Sequence, residues 1–239
     1  KVLRKLDSGQ KLWLESKKVI AGGNMLFSKR PDTFLPNIWP AYFKKTDGCK
    51  VIDLDNKIYF DISSMSVGTN SLGYSNKKID NAVKNAIKKG NMSTLNCPEE
   101  VYLAKKLLKI HPWAHKVRFA RTGGEANSIA IRLARASTKR KNIAFCGYHG
   151  WHDWYLAANI KSKNNLSGHL LNGLKVEGVP PALKKTIFPF VYNNYNGLEK
   201  LVKKYNIGII KMEVVRNEMP KNNFLKKVRN LANKNKIIL

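Results

Sequence analysis

The stretch from Lys116 to Asp153 limits the possible folds more than any other part of the chain. Val117 and Phe119 alternate with charged residues, which predicts a half-buried strand. Thr122-Gly123-Gly124-Glu125 follows, and a Thr three residues before a Glu is the spacing of a capping box, so a helix is expected to begin here. Its inward face is read from Ala126, Ile129, Ala130, Leu133 and Ala134. A second strand is expected over Asn142–Cys146, and the turn Gly147-Tyr148-His149-Gly150-Trp151-His152-Asp153 leaves it. Strand, helix and strand in this order make a parallel α/β unit, and such sheets hold ligands at the C-terminal ends of their strands. Two glycines at a helix start let backbone N–H groups approach an anion, and the helix dipole favours negative charge there. The plainer reading is a capped core helix followed by an aromatic turn.

The rest of the chain fits around this unit. An amphipathic helix is expected over Gly9–Val19, broken by Gly22 and Gly23, and Pro31, Pro36 and Pro40 then mark an extended loop. Ala41–Thr46, Lys50–Asp53 and Lys57–Ile62, separated by Asp47-Gly48 and Asp55-Asn56, predict an antiparallel meander. Ser63–Tyr74 reads as a loop. Helices are expected from Asn76 to Gly90 and from Pro98 onward, the second with Glu99 and Glu100 at the positive end of its dipole. Lys161–Pro181 reads as a long surface loop. Beyond it come a strand in Thr186–Tyr192, a helix over Leu198–Tyr205, a buried strand over Ile207–Val214 and a helix through Phe224, Val228 and Leu231. Lys236–Leu239 opens another strand, so the chain is expected to be incomplete at its C-terminus. The division drawn is an N-terminal arm and meander over 1–74, the small-domain part, and a large α/β domain over 75–239.

Composition separates the function classes. With 44 Lys+Arg against 16 Asp+Glu, the formal net charge is +28, which invites a nucleic-acid reading. The lysines, however, are scattered over nearly every predicted helix and turn, and no RRM, zinc-finger or helix-turn-helix signature is present. Charge alone carries no specificity. A basic nucleic-acid-binding protein without enzymatic activity is the alternative of a different class, and salt-sensitive binding to arbitrary duplex would mark it. Cys49, Cys97 and Cys146 have no CxxC spacing and fit free thiols in a reducing compartment. No apolar run is long enough to span a membrane, and Lys1–Lys5 has no apolar h-region, so a cytoplasmic protein without a membrane partner is expected. His149, His152 and Asp153 could converge on a metal, but no fourth ligand is evident, and no metal is expected.

An ordered set of motifs resembles one family. Phe119-Ala120-Arg121-Thr122-Gly123-Gly124-Glu125-Ala126, Arg132-Leu133-Ala134-Arg135-Ala136 and Tyr148-His149-Gly150 are similar to the class-III aminotransferases, most of all to their glutamate-1-semialdehyde 2,1-aminomutase branch. Asp47–Asp55 with Tyr59-Phe60-Asp61, then Leu72-Gly73-Tyr74, Gly178-Val179-Pro180, Val191-Tyr192-Asn193 and Met212–Asn217 extend the resemblance over nearly the whole chain. The resemblance implies a type-I pyridoxal-phosphate (PLP) transferase large domain of three layers on a mainly parallel sheet. It implies amino-group transfer on a small-molecule donor and acceptor in a homodimer. The aminomutase reading is an intramolecular transfer giving 5-aminolevulinate, and the alternative is a transaminase for another amino acid or an amino sugar.

The resemblance also assigns residues. Thr122, Gly123 and Gly124 match the phosphate-binding turn, with Gly124 standing where the family often has Thr or Ser. Tyr148 matches the aromatic that stacks on the cofactor ring, His149 lies beside it, and Glu213 and Asn217 match residues near the cofactor. Ser66, Gly68, Thr69 and Asn70 match the loop near the substrate carboxylate. Such enzymes also need a Schiff-base Lys and an Asp for the pyridinium nitrogen. The resemblance puts both beyond Leu239, so no catalytic residue is assigned here and the chain as it stands is expected to be inactive. Departures at Arg121, Gly124 and Arg216 leave the substrate open.

Overall fold

The structure, a computed structural model, describes residues 5–62, 65, 68–160, 165–167, 175–215 and 217–239. It divides into two compact units, Lys1–Ile110 and His111–Leu239. This boundary rests on packing, whereas the sequence division after Tyr74 rests on the change from a Ser/Gly loop to helical periodicity.

The first unit opens on α1 (Ser8–Val19), whose N-cap Asp7 accepts a hydrogen bond from Gln10 N. The helix buries Gln10, Trp13 and Ser16. Strands β1 (Phe43–Asp47), β2 (Lys50–Asp53) and β3 (Ile58–Phe60) form the antiparallel meander in sequence order. Buried Asp53 ties its second turn: Oδ1 accepts from Asp55 N at 2.9 Å and Lys57 N at 2.8 Å, and Oδ2 accepts from Tyr59 Oη at 3.1 Å. One carboxylate thus satisfies two backbone donors that a tight turn would leave unpaired. Helix α2 (Lys77–Lys88) starts at an Asn76 cap, and α3 (Pro98–Ile110) at its proline with Glu99 and Glu100 in the first turn. Neither helix contains a buried residue.

The second unit is built on α4 (Gly123–Thr138), β4 (Asn142–Cys146), α5 (Asp153–Leu156), β5 (Ile187–Pro189), α6 (Tyr195–Lys204), β6 (Ile207–Met212) and α7 (Phe224–Lys234). The sheet order is β5-β4-β6 and both pairings are parallel. Strand β4 is central and buried on both faces, as its unbroken apolar run Ile143-Ala144-Phe145-Cys146 requires. Ile143 and Phe145 join Ile131, Ala134 and Tyr155 in one core, while Ala144 and Cys146 join Leu198, Phe224, Val228 and Leu231 in the other. Two cores on opposite faces of one parallel sheet make three layers. Arg140 fastens the N-terminal edge, its Nη1 donating to Ile207 O at 2.7 Å and Asn235 O at 3.3 Å and its Nη2 to Lys236 O.

Three strand expectations change. Val117–Phe119 is irregular, and Phe119 is 39 % exposed. Alternation gives a segment two faces but no ladder partner, and among the described residues nothing pairs with it. The Thr186–Tyr192 strand shrinks to Ile187–Pro189: Phe190 N still donates to Phe145 O at 2.9 Å, and the chain then turns, with Asn194 N donating to Val191 O at 3.1 Å. Lys236–Leu239 makes a single parallel bridge, Ile238 to Ile209, with Ile210 N donating to Ile238 O at 2.8 Å. Of the expected loop at 161–181, residues 161–164 and 168–174 lie outside the described residues, and Pro181–Leu183 forms a short helical turn.

Candidate functional site

The first turn of α4 is where sequence and geometry meet. A helix start has four backbone N–H groups without intrahelical partners. Here Thr122 Oγ1 accepts from Glu125 N at 3.1 Å, and Glu125 Oε2 accepts from Thr122 N at 3.2 Å and Arg121 N at 2.9 Å. The capping box therefore takes the donors at both ends of the turn and leaves those of Gly123 and Gly124 between them. A Cβ on Gly123 would meet nothing within 4 Å, so the space beside this residue is open. Two free N–H groups at the positive end of a sixteen-residue helix suit a phosphate dianion.

The turn after β4 is pressed against this helix start. Gly150, at φ 101°, would place a Cβ 3.3 Å from Gly124 Cα, so the two backbones touch. A Cβ on Gly124 itself would fall 2.5 Å from His152 Nε2. Asn127 Nδ2 donates to His149 O at 3.2 Å and fixes the turn to α4. His149 is 2 % exposed, with its ring near Phe145, Trp154 and Tyr155 and its Nε2 2.9 Å from Cys146 O. A carbonyl only accepts, so Nε2 carries the proton, and His149 braces the turn. Tyr155 Oη donates to Gly147 O at 2.8 Å, and Tyr148 packs edge-on against the Tyr155 ring at 6.3 Å.

The same turn meets the end of β6. Gly147 has φ 98°, and a Cβ there would collide with the Glu213 carboxylate. Burial, and then the Glu213 charge, pushes the Cys146 thiol up to about 11. Burial lowers the pKa of Lys211, against the pull of Glu213. Asn217 is exposed in the bend after β6. That segment is held by Tyr192 Oη donating to Val214 O, by Asn193 Nδ2 donating to Met219 O at 3.1 Å, and by Lys221 N donating to Asn193 Oδ1 at 2.9 Å.

The Gly147–His152 turn is thus the hub. It touches α4 through Gly150 and His152 and touches Glu213 through Gly147, gathering Thr122, Gly123, Gly124, Tyr148, His149 and Glu213 at one end of the sheet. A hollow of about 440 Å³ beside it is lined by Phe119, Arg121, Glu125, Ser128 and His152, and the buried Ser128 Oγ has no hydrogen-bond partner. Sequence reasoning passed over Gly147 and gave His152 no role at the helix start. The signal for both was that a glycine lacks what a neighbour could fill. Of the substrate-loop residues, Ser66 lies outside the described residues, and Thr69 and Asn70 sit in a turn of the first unit. There Asn70 N donates to Met65 O at 3.2 Å, and Asn70, Asp53, Asp61 and Tyr74 line a hollow of about 690 Å³. No helix among the described residues is long and apolar enough to cross a membrane.

Comparison with known proteins bears on the family and the fold. The chain is 34 % identical over 238 residues to the 3-aminobutyryl-CoA aminotransferase of Cloacimonas acidaminovorans, covering 96 % of this chain and 53 % of that protein. It is 34 % identical over 236 residues to the glutamate-1-semialdehyde 2,1-aminomutase of Methanobrevibacter smithii, covering 95 % of this chain and 53 % of that one. The chain therefore spans about half the length of the curated relatives it matches. Among solved structures it superposes on the FumI protein of Sphingopyxis sp. MTA144, a PLP form, with a TM-score of 0.80 at 22 % identity over 96 % of this chain and 53 % of that one. The shared fold is the type-I PLP-transferase large domain, present in part. The aminotransferase class-III family model matches residues 36–239, and the chain belongs to the class-III aminotransferases, a family for which pyridoxal phosphate is the indicated cofactor.

Proposed function

We propose that the full-length protein is a PLP-dependent enzyme of amino-group transfer and that Thr122–Glu125 holds the cofactor phosphate. The observation that carries this reading is the capping box that occupies the outer donors and leaves Gly123 N and Gly124 N between them, with open space beside Gly123. Tyr148 supplies a flat face for the pyridine ring, and His149 keeps that turn rigid from within the core. Glu213, lodged against Gly147, holds the ends of β4 and β6 together and sets a negative charge beside the site. Asn217 is assigned to the cofactor's polar edge, and Ser66, Thr69 and Asn70 to the substrate carboxylate. When bound, the cofactor supplies an electron sink for carbanion chemistry at the amino-bearing carbon. The lysine that would hold it covalently is assigned to the half of the relatives' length that this chain does not span.

Within that class, intramolecular transfer on glutamate-1-semialdehyde is the first reading and transamination of another amino compound the second. The second is favoured by the absent side chain at Gly124 and by equal identity to an aminotransferase and an aminomutase. A homodimer is proposed as well, supported by the exposed apolar residues Ile79, Val83 and Ile87 on α2. Sedimentation of the full-length protein tests it, and a monomer at micromolar concentration would overturn it.

The deciding experiment on the site is Gly123→Asp in the full-length protein. Unit charges 4 Å apart at an effective dielectric of 20 interact by about 4 kcal/mol, so affinity for PLP is expected to fall at least about a hundredfold. The new Cβ meets no neighbour, and an acid in the first turn suits the dipole, so the melting temperature without cofactor should hold or rise. Tyr148→Ala should cost less, on the order of 1 kcal/mol beyond the lost burial. Unchanged PLP affinity in Gly123→Asp would sink the phosphate assignment.

A further inference from the structure

Gly124 is a departure with a neighbour to match. Gly124 has no side chain, and the space beside it is filled from the far side by His152. An ideal Cβ on Gly124 would lie 2.5 Å from His152 Nε2 and 2.8 Å from its Cδ2, so the ring stands where a serine or threonine side chain would have to be. The imidazole is delivered there by the backbone. His152 is extended at φ −72° and ψ 155°, and its carbonyl accepts from Tyr155 N at 2.9 Å and Leu156 N at 3.1 Å. Its ring stacks on Trp151 at 5.4 Å with the planes 20° apart. The ring lines the same hollow as Arg121, Glu125 and the unpartnered Ser128 hydroxyl, next to the two N–H groups that the capping box leaves.

We propose that His152 is a further phosphate-binding residue of this site, its ring nitrogen replacing the side-chain donor that position 124 lacks. This rests on the reading of Thr122–Glu125 as the phosphate turn. A neutral imidazole offers one N–H donor, and a charged one offers two and a positive charge. Either form answers the loss of a hydroxyl more strongly than space-filling alone, because donors to a charged oxygen are the strong ones. Arg121 and Glu125 face the same hollow from the start of α4, and Asp153 follows His152 on its own element. The Glu125 carboxylate is already held by Arg121 N and Thr122 N.

The test uses the full-length protein freed of cofactor, with binding of PLP and of unphosphorylated pyridoxal measured separately by fluorescence. His152→Phe, which keeps a stacked ring and removes the donor, and His152→Ala should each weaken PLP by about tenfold and leave pyridoxal unchanged, as for a lost hydrogen bond to a charged group. Gly124→Ser alone should lower the melting temperature, because its side chain meets the imidazole. Gly124→Ser combined with His152→Ala should regain PLP affinity, with the hydroxyl in the vacated place. Equal losses for PLP and pyridoxal would assign His152 to packing and overturn the proposal, as would unchanged PLP affinity in both His152 variants. Gly123→Asp separates the two failures. If it abolishes PLP binding while the His152 variants do not, only the role of His152 falls; if it has no effect, the phosphate turn falls and His152 with it.

Discussion

On α7, Phe224, Val228, Leu231 and Ala232 recur at helical spacing and all four are buried, Val228 completely. On α2, Ile79, Val83, Ala86 and Ile87 recur in the same way and all stay exposed. Both helices are strongly amphipathic, both follow an Asn, although only Asn76 of α2 caps with its side chain, and both carry lysines. The difference lies in what each unit supplies as cover. Helix α7 belongs to a unit with a parallel sheet, whose Ala144, Ile207 and Ile210 complete its core. Helix α2 belongs to a unit whose only sheet among the described residues is a three-stranded meander with two exposed strand ends at Phe43 and Phe60. Periodicity states that a face is made to be covered; it does not state by what.

The comparison can be broken by mutation. The largest effect is expected from Phe224→Ala, which empties a site that is 1 % exposed and should cost about 3–5 kcal/mol in urea unfolding of the second unit. Next comes Arg140→Ala, which leaves three carbonyls without their shared donor and should cost about 1–3 kcal/mol. Val83→Ala on α2 should stay within about 0.5 kcal/mol in the monomer at low protein concentration, as an exposed position does. A cost for Val83→Ala in the monomer comparable to that of Phe224→Ala would erase the contrast, whereas a cost that grows with protein concentration is what the proposed homodimer predicts.

The smallest effect is chemical. Cys49 and Cys97, both in the first unit, are exposed, and Cys146 in the second is buried. Iodoacetamide at neutral to mildly alkaline pH should label the first two and spare Cys146 until the chain unfolds. Cys97 should react more slowly than Cys49, because its thiol donates to Glu99 Oε2 at 2.9 Å and its pKa is raised by that bond. The sign for Cys146 follows from its thiol being raised from 9.0 to about 11. The folded state holds that proton more tightly, so the contribution is full below pH 9 and is lost as pH rises through about 11. Thermal melts of the wild type and Cys146→Ala across that window check it: the difference between them should narrow as pH rises.

Much of the fold was legible because it is local. The capping box at Thr122, the continuous apolar run of β4 and the stripe of α7 are each stated within a dozen or so residues, and each formed where expected. Val117–Phe119 failed because a strand is a relation between segments and its own alternation names no partner. The site divided the same way. The donors of Gly123 and Gly124 could be read from spacing, as could the turn around Tyr148. The contacts Gly124 to His152 and Gly147 to Glu213 could not, since each joins positions far apart in sequence and depends on the sheet being in register. Asn193 was also hidden: its positive φ of 64° and its bonds to Met219 and Lys221 make it the clasp of the segment that carries Asn217.

The sheet order β5-β4-β6 has a consequence for how the chain is made. The central strand leaves the ribosome first, and both of its neighbours come after it. Synthesis at about 5–20 residues per second puts β6 roughly sixty residues and about 3–12 s behind β4. For that interval Ile143-Ala144-Phe145-Cys146 has two open edges and no sheet, a short β-prone segment of the kind that pairs with other nascent chains. Helix α4 is already available by then and can shield one face, but the edges wait for Ile187–Pro189 and Ile207–Met212. The Arg140 clamp closes last of all, since two of its acceptors are Asn235 and Lys236. The yield of this protein in a cell should therefore depend on translation speed and on chaperones that hold the nascent chain during those seconds.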